Sequence, residues 1–373
     1  MPISPLHTLH AAGQSLWLDY IDRTMLHDGE LTRRIADDAL TGMTSNPTIF
    51  EKALAQGTAY DEQLRAAAGE RSAWELFELV ETDDVRTACD LFRGVYDASE
   101  GGDGYVSIEV SPASAHDASA TVQEARRLWA TVARPNVMIK VPGTPAGTVA
   151  LRALIAEGIN VNVTLLFSVE AYARVTDAYQ GGLEKRLTMR GELSRVASVA
   201  SFFVSRVDSE IDKRLVALGT PDAMALMGQA AIANAKLAYA VFQEQCAGGR
   251  WSALAARGAR VQRPLWASTG TKNPAYSDVK YVEGLIGPDT VNTLPPATLD
   301  AFRDHGVVAR TVDTGVAEAR ALVPALEAQG IRLREVTEQL LVDGLASFQT
   351  SFDTLIAGLE RKAATLGHSL ATR

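Results

Sequence analysis

The chain has 373 residues, 47% hydrophobic and 22% charged, with a formal net charge of −9. This is ordinary globular composition, with enough apolar material for one large core or two smaller ones and no low-complexity tract. The acidic balance, the absence of a long basic run and a pair of cysteines, Cys89 and Cys246, disfavour a nucleic-acid partner and a disulfide framework.

The N-terminal stretch Met1-Pro2-Ile3-Ser4-Pro5-Leu6-His7 lacks the basic and apolar regions of a signal peptide. No apolar run is long enough to span a bilayer. A soluble cytoplasmic protein without a membrane partner is expected, and a reducing compartment suits two isolated thiols in helical segments.

A first strand is predicted over 15–21, with Trp17 and Asp19 on one face. A helical pattern over 29–39 leads to a second strand over 40–46, where Thr44 and Asn46 share a face and Pro47 stops the run. Residues 47–98 read as a helical insertion. The third strand, 104–111, puts Ser107 and Glu109 together. After a helix over 119–133, the fourth strand, 137–143, puts Met138 and Lys140 on one face. A helix over 147–157 precedes the fifth strand, 159–167, which aligns Asn160, Asn162 and Thr164. A helix over 169–179 leads to the sixth strand, 196–205, with Ser201 and Phe203 on one face and Arg206 just beyond. A helix over 209–217 and a second helical insertion over 221–256 follow. The seventh strand, 261–270, carries Ser268 near its end, with Lys272 in the next loop, and an eighth covers 290–294. Finally, Val336, Leu340, Leu341, Leu345, Phe348, Phe352, Leu355 and Leu359 recur at helical spacing. They predict an amphipathic helix over about 333–362 that packs across the exterior or rim.

Alternating strands and helices are the signature of βαβ units and a parallel sheet. Eight repeats match a closed (β/α)8 barrel of the α/β class, here a single domain over 1–373 with helical insertions. An open doubly wound sheet is the alternative. It would want a Gly-rich turn after the first strand, and Asp19-Tyr20-Ile21-Asp22-Arg23 offers none.

In a barrel, alternate residues point inward and reacting groups sit at the C-terminal ends of strands. Lys140 ends an apolar strand, where an ammonium group is costly to desolvate. Burial lowers a lysine pKa and makes the amine a nucleophile for carbonyl carbons. The resulting iminium is an electron sink that lets a neighbouring C–C bond break. Asp19 and Glu109 are the carboxylate candidates for moving protons, and Thr164 is suited to orienting a water. Arg206 and Lys272 offer charge to a phosphate.

Taken singly, each residue has a plainer reading. Lys140 fits an ion pair with Asp19 or Glu109. Asn46 fits a turn or helix cap, and Arg206 and Lys272 fit solvated surface charges. His7, His10, His27, His116, His305 and His368 neither cluster nor form a His-x-x-x-His pair, which disfavours a metal site.

Six segments together resemble the transaldolase family, in its order and across most of the chain. They are Trp17-Leu18-Asp19, Thr44-Ser45-Asn46-Pro47-Thr48, Ser107-Ile108-Glu109-Val110, Ile139-Lys140-Val141-Pro142-Gly143-Thr144, Asn162-Val163-Thr164-Leu165-Leu166-Phe167 and Ser201-Phe202-Phe203-Val204-Ser205-Arg206. The insertions and the Val-Pro-Gly-Thr ending after the lysine are similar to its larger bacterial subfamily. The resemblance implies a class I aldolase barrel with no metal or organic cofactor and with sugar-phosphate substrates. It implies transfer of a dihydroxyacetone unit from sedoheptulose 7-phosphate to glyceraldehyde 3-phosphate, in the non-oxidative pentose phosphate pathway. By the same resemblance Lys140 forms the Schiff base, Asp19 is the acid/base, and Glu109 and Thr164 hold the catalytic water. Asn46 and Ser201 then hydrogen-bond the substrate, while Arg206 and Ser268 contact its phosphate. Two departures stand out. Lys272 is the nearest match to a second arginine, and Ser205 stands where glycine is common. Phe203 with Glu109 favours transfer over the simple aldol cleavage of the related fructose 6-phosphate aldolases, which tend to carry tyrosine and glutamine there.

Overall fold

The computed structural model describes residues 4–55, 57–67 and 71–371. Eight strands run in chain order: β1 (Gln14–Asp19), β2 (Leu40–Thr44), β3 (Tyr105–Glu109), β4 (Val137–Pro142), β5 (Val161–Leu166), β6 (Ser198–Phe203), β7 (Arg263–Ala267) and β8 (Thr290–Leu294). Each pairs in parallel with its sequence neighbours, and β8 returns to β1, closing the barrel. The open-sheet alternative is thereby ruled out.

Parallel strands covered on both sides must be buried on both faces. Every residue of β4 and β5 is buried. Two periodic sets divide the work. In β5, Asn162 reaches across the barrel interior, its Nδ2 donating to Ser107 Oγ at 3.0 Å, so Val161 and Val163 face the helices. Trp17 fills the interior beside Gly42, its register partner on β2. A Cβ at Gly42 would lie 2.5 Å from the indole Nε1, so only glycine fits there. The indole donates to Asp103 at 2.8 Å, and Arg263 donates to Ser15 at 2.6 Å, giving this part of the barrel a paired polar floor.

Several strands are shorter than predicted. The runs over 104–111, 196–205 and 261–270 end at Glu109, Phe203 and Ala267. Their last residues are taken by turn and helix starts. Ser111 caps a 3-10 turn, and Ser205 opens a helix that runs to Leu218, instead of the predicted 209–217. Arg206 therefore sits in a helical first turn, where backbone geometry fixes it better than a loop would. The helix predicted over 169–179 continues to Thr188, with Gly182 packed so closely on Ile155 that a Cβ would lie 2.8 Å away.

Residues 47–98 hold four helices, Pro47–Ala55, Asp61–Ala67, Ala73–Leu91 and Arg93–Ala98; Gln56 and residues 68–70 lie outside the described residues. The 221–256 segment holds Pro221–Met224, Ala230–Ala247 and Gly249–Ala255. Helices Pro296–His305 and Val316–Ala328 had no counterpart in the predicted elements.

The C-terminal helix spans Leu333–Ala371, longer than the predicted 333–362. Its stripe of Val336, Leu340, Phe348, Leu355 and Leu359 is buried. Phe352 packs on Trp74 and Phe77, with ring centroids 5.1 and 5.8 Å apart. The helix does more than rest on the exterior or rim, because Ser347 and Phe348 form part of the wall of the barrel-mouth cavity. Among the described residues, no helix is long and apolar enough to cross a membrane.

Candidate active site

A cavity of about 290 Å3 opens at the C-terminal ends of the strands. Asp19, Asn46, Lys140, Thr164, Ser201, Phe203, Arg206, Ser268 and Lys272 all line it. Glu109 is not among the lining residues, but its Oε2 stands 3.1 Å from Lys140 Nζ. The spread-out sequence candidates thus converge on one mouth, as strand parity requires.

Lys140 is 5% exposed. Its ammonium also donates to the Ser45 carbonyl at 3.1 Å. The ion pair considered from sequence is present and is made with Glu109, while no ion pair links Lys140 to Asp19. Asp19 instead accepts from Thr44 Oγ1 at 2.7 Å, and Thr44 meets Thr293 at 2.7 Å. Burial raises the Asp19 carboxyl above its ordinary value, opposed by Lys140, the Thr44 hydrogen bond, Arg206 and Lys272. Burial likewise raises Glu109, opposed by Lys140 and assisted by repulsion from Asp19. Burial thus raises both carboxyl groups, and Lys140 opposes the shift in each.

Thr164 Oγ1 is a buried atom that accepts or donates no hydrogen bond among the described residues. Buried polar atoms without protein partners are uncommon and point to a ligand or water. The backbone aims Thr164: Leu165 has φ +58°, and the β5–β6 register shifts between Val163 and Leu166. A bulge of this kind redirects a side chain at a strand end. Ser201 Oγ donates to Asn162 Oδ1 at 2.6 Å, which ties it to the chain of hydrogen bonds across the barrel. Asn46 fits the plainer reading as a helix cap, its Oδ1 accepting from Ile49 N at 3.1 Å, and also borders the cavity.

Arg206 lies 5.2 Å from the centroid of the Phe203 ring and makes no hydrogen bond or ion pair with the described residues. Burial depresses its pKa, with Asp19 pulling the other way. A partly buried guanidinium without an anionic partner suits a phosphate. Ser268 adopts φ +55°, a left-handed conformation unusual outside glycine. Ser205 holds it: the Ser205 amide donates to the Ser268 carbonyl at 3.0 Å and the two hydroxyls lie 3.0 Å apart. That contact gives Ser205 a physical role its sequence position did not reveal.

Residues 16–359 match the family described as transaldolase/fructose-6-phosphate aldolase. The chain belongs to that family. It is 48% identical over 380 residues to Transaldolase 2 of Nostoc sp., covering 98% of this chain and 99% of that one. It is 50% identical over 364 residues to Transaldolase 1 of Streptomyces coelicolor, covering 97% and 96%. It is 51% identical over 355 residues to the transaldolase of Mycobacterium ulcerans, covering 94% and 95%.

The family reading leaves several lining residues that sequence reasoning passed over: Thr44, Thr48, Lys52, Thr293, Ser347 and Phe348. Thr44 was within reach, since it shares a face with Asn46. Phe348 carried no signal, because an apolar position in an amphipathic helix reads as core, and Ser347 beside it reads as solvated.

Proposed function

We propose that this enzyme is a transaldolase that moves a dihydroxyacetone unit from sedoheptulose 7-phosphate to glyceraldehyde 3-phosphate through a Schiff base on Lys140. The products are erythrose 4-phosphate and fructose 6-phosphate, and the reaction belongs to the non-oxidative pentose phosphate pathway. A cytoplasmic setting suits this role and suits two free thiols, Cys89 and Cys246.

The observation that carries this reading is the buried Lys140 ammonium, 3.1 Å from Glu109 and exposed to the same cavity as Asp19, Thr164 and Arg206. With its proton passed to a neighbouring carboxylate, Nζ attacks C2 of the ketose, and loss of water gives the iminium. Asp19 takes the proton of the C4 hydroxyl, the C3–C4 bond breaks, and its electrons move into the iminium. The aldose phosphate leaves, and an enamine of dihydroxyacetone remains on Lys140. An incoming aldehyde is attacked by that enamine, Asp19 returns a proton, and hydrolysis frees the new ketose. Thr164 and Glu109 position the water lost and regained in the Schiff-base steps. Asn46 and Ser201 hold substrate hydroxyls, and Arg206, Ser268 and Lys272 receive the phosphate.

The test is borohydride reduction with fructose 6-phosphate. A covalent mass increase on Lys140, lost in Lys140→Ala, is expected. A label on another lysine, or none, would refute the mechanism. Supplying fructose 6-phosphate with and without erythrose 4-phosphate distinguishes transfer from simple aldol cleavage, because a transferase releases little dihydroxyacetone without an acceptor.

A further inference from the structure

The C-terminal helix closes one side of the mouth cavity with Ser347 and Phe348. Phe348 is its aromatic contribution. Its ring centroid lies 5.8 Å from Lys140 Nζ, and the side chain is 6% exposed. Three features of the helix bring it there. Gly344, one turn earlier, lets the helix approach β5 so closely that a Cβ would lie 3.0 Å from Leu165 Cδ2. Thr48 Oγ1 donates to Ser351 Oγ at 2.8 Å and fixes the next turn. Phe352 is anchored between Trp74 and Phe77. Phe348 packs in the core like its stripe neighbours, and its ring also faces the lysine.

The Lys140-bound three-carbon unit has two fates, on the reading proposed above. The enamine can attack an aldehyde, which is transfer. Alternatively it takes a proton at its nucleophilic carbon and becomes the iminium. Water then adds to the iminium carbon and loses a proton, and the carbinolamine breaks at its C–N bond to release dihydroxyacetone and the free amine. Both fates end in water adding to an iminium, and only the second needs a proton delivered to the nucleophilic carbon of the enamine. An aromatic ring over the three-carbon unit displaces the water that would deliver that proton. We propose that Phe348 is a specificity-determining residue that covers the Lys140-bound unit and so favours transfer over hydrolysis.

The test compares the full-length wild-type enzyme with Phe348→Leu and Phe348→Met, which remove the ring at nearly constant volume. Fructose 6-phosphate is supplied alone and with erythrose 4-phosphate, and free dihydroxyacetone is measured against transferred product. The ratio of release to transfer should rise roughly tenfold in both variants, the scale of one lost apolar contact in a pocket. A purely structural role would lower both rates together and leave the ratio alone. An unchanged ratio, with Lys140 still labelled by borohydride, overturns the role of Phe348 and leaves the Schiff base standing. Absence of any Lys140 label in the wild type overturns the proposed function and this inference with it. Far-ultraviolet circular dichroism selects the folded variant, and either one alone decides the ratio.

Discussion

Glu81 shows how a single buried group sets a pH dependence. It lies on the helix Ala73–Leu91, is 4% exposed, and makes no hydrogen bond or ion pair with the described residues. Burial holds its pKa well above the carboxylate range, and Glu109, Glu124, Glu78 and Asp84 add repulsion. The folded chain therefore keeps a proton that the unfolded chain releases above about pH 4.3. Where only the folded state holds that proton, stability falls as pH rises, by about 1.4 kcal/mol per pH unit. The contribution is whole below the unfolded pKa and is lost as pH climbs through the window to the folded pKa. Glu81→Gln removes it, so urea unfolding should show the variant gaining on wild type as pH rises above about 4.3. Parallel stability curves would show that Glu81 is not held neutral. Asp19 and Glu109 share the direction of this shift, so burying each of them likewise costs stability above the pKa of an unfolded carboxyl.

At the scale of elements, the site depends on where strands stop and how the last helix lies. β5 ends in a bulge at Leu165, and β7 ends just before Ser268 in a left-handed turn. Neither residue is a glycine, so neither turn is readable from sequence. Both are held by neighbours: Leu165 by the C-terminal helix at Gly344, Ser268 by Ser205. Gly344 is the hinge of this arrangement, because its bare Cα is what admits Leu165. Gly344→Val should overpack this contact and cost about 1–3 kcal/mol. It should also lift the helix from the mouth, raising KM for the sugar phosphate, since Arg206 Nη1 lies 3.7 Å from the same point. Thermal melts and steady-state kinetics check the two effects separately. A variant with unaltered stability and KM would show that the helix has room to spare.

Across the whole molecule, an acidic chain keeps its cations local. The net charge is −9, yet Arg206, Lys272 and Lys52 border one cavity. Local convergence, and not overall charge, suits an anionic substrate. Among the described residues, no group of three or more His, Cys, Asp or Glu side chains could hold a metal ion. The lysine supplies its own electron sink once it forms an iminium, so extensive dialysis against EDTA should leave the transfer rate intact. A rate restored only by added divalent metal would contradict the Schiff-base scheme. The sequence by itself determined the barrel, because burial on both faces forces β-branched runs such as Val161 and Val163, and period two alternates them with Asn162 and Thr164. The same period carried Asp19, Asn46, Lys140, Ser201 and Phe203 to one mouth, since a parallel barrel points every strand the same way. Tertiary structure alone decided which carboxylate pairs with Lys140, that Arg206 starts a helix, and that Phe348 faces the lysine. These depend on distances between segments far apart in the chain, and an apolar helix position looks the same in sequence whether it meets a core or a reacting amine.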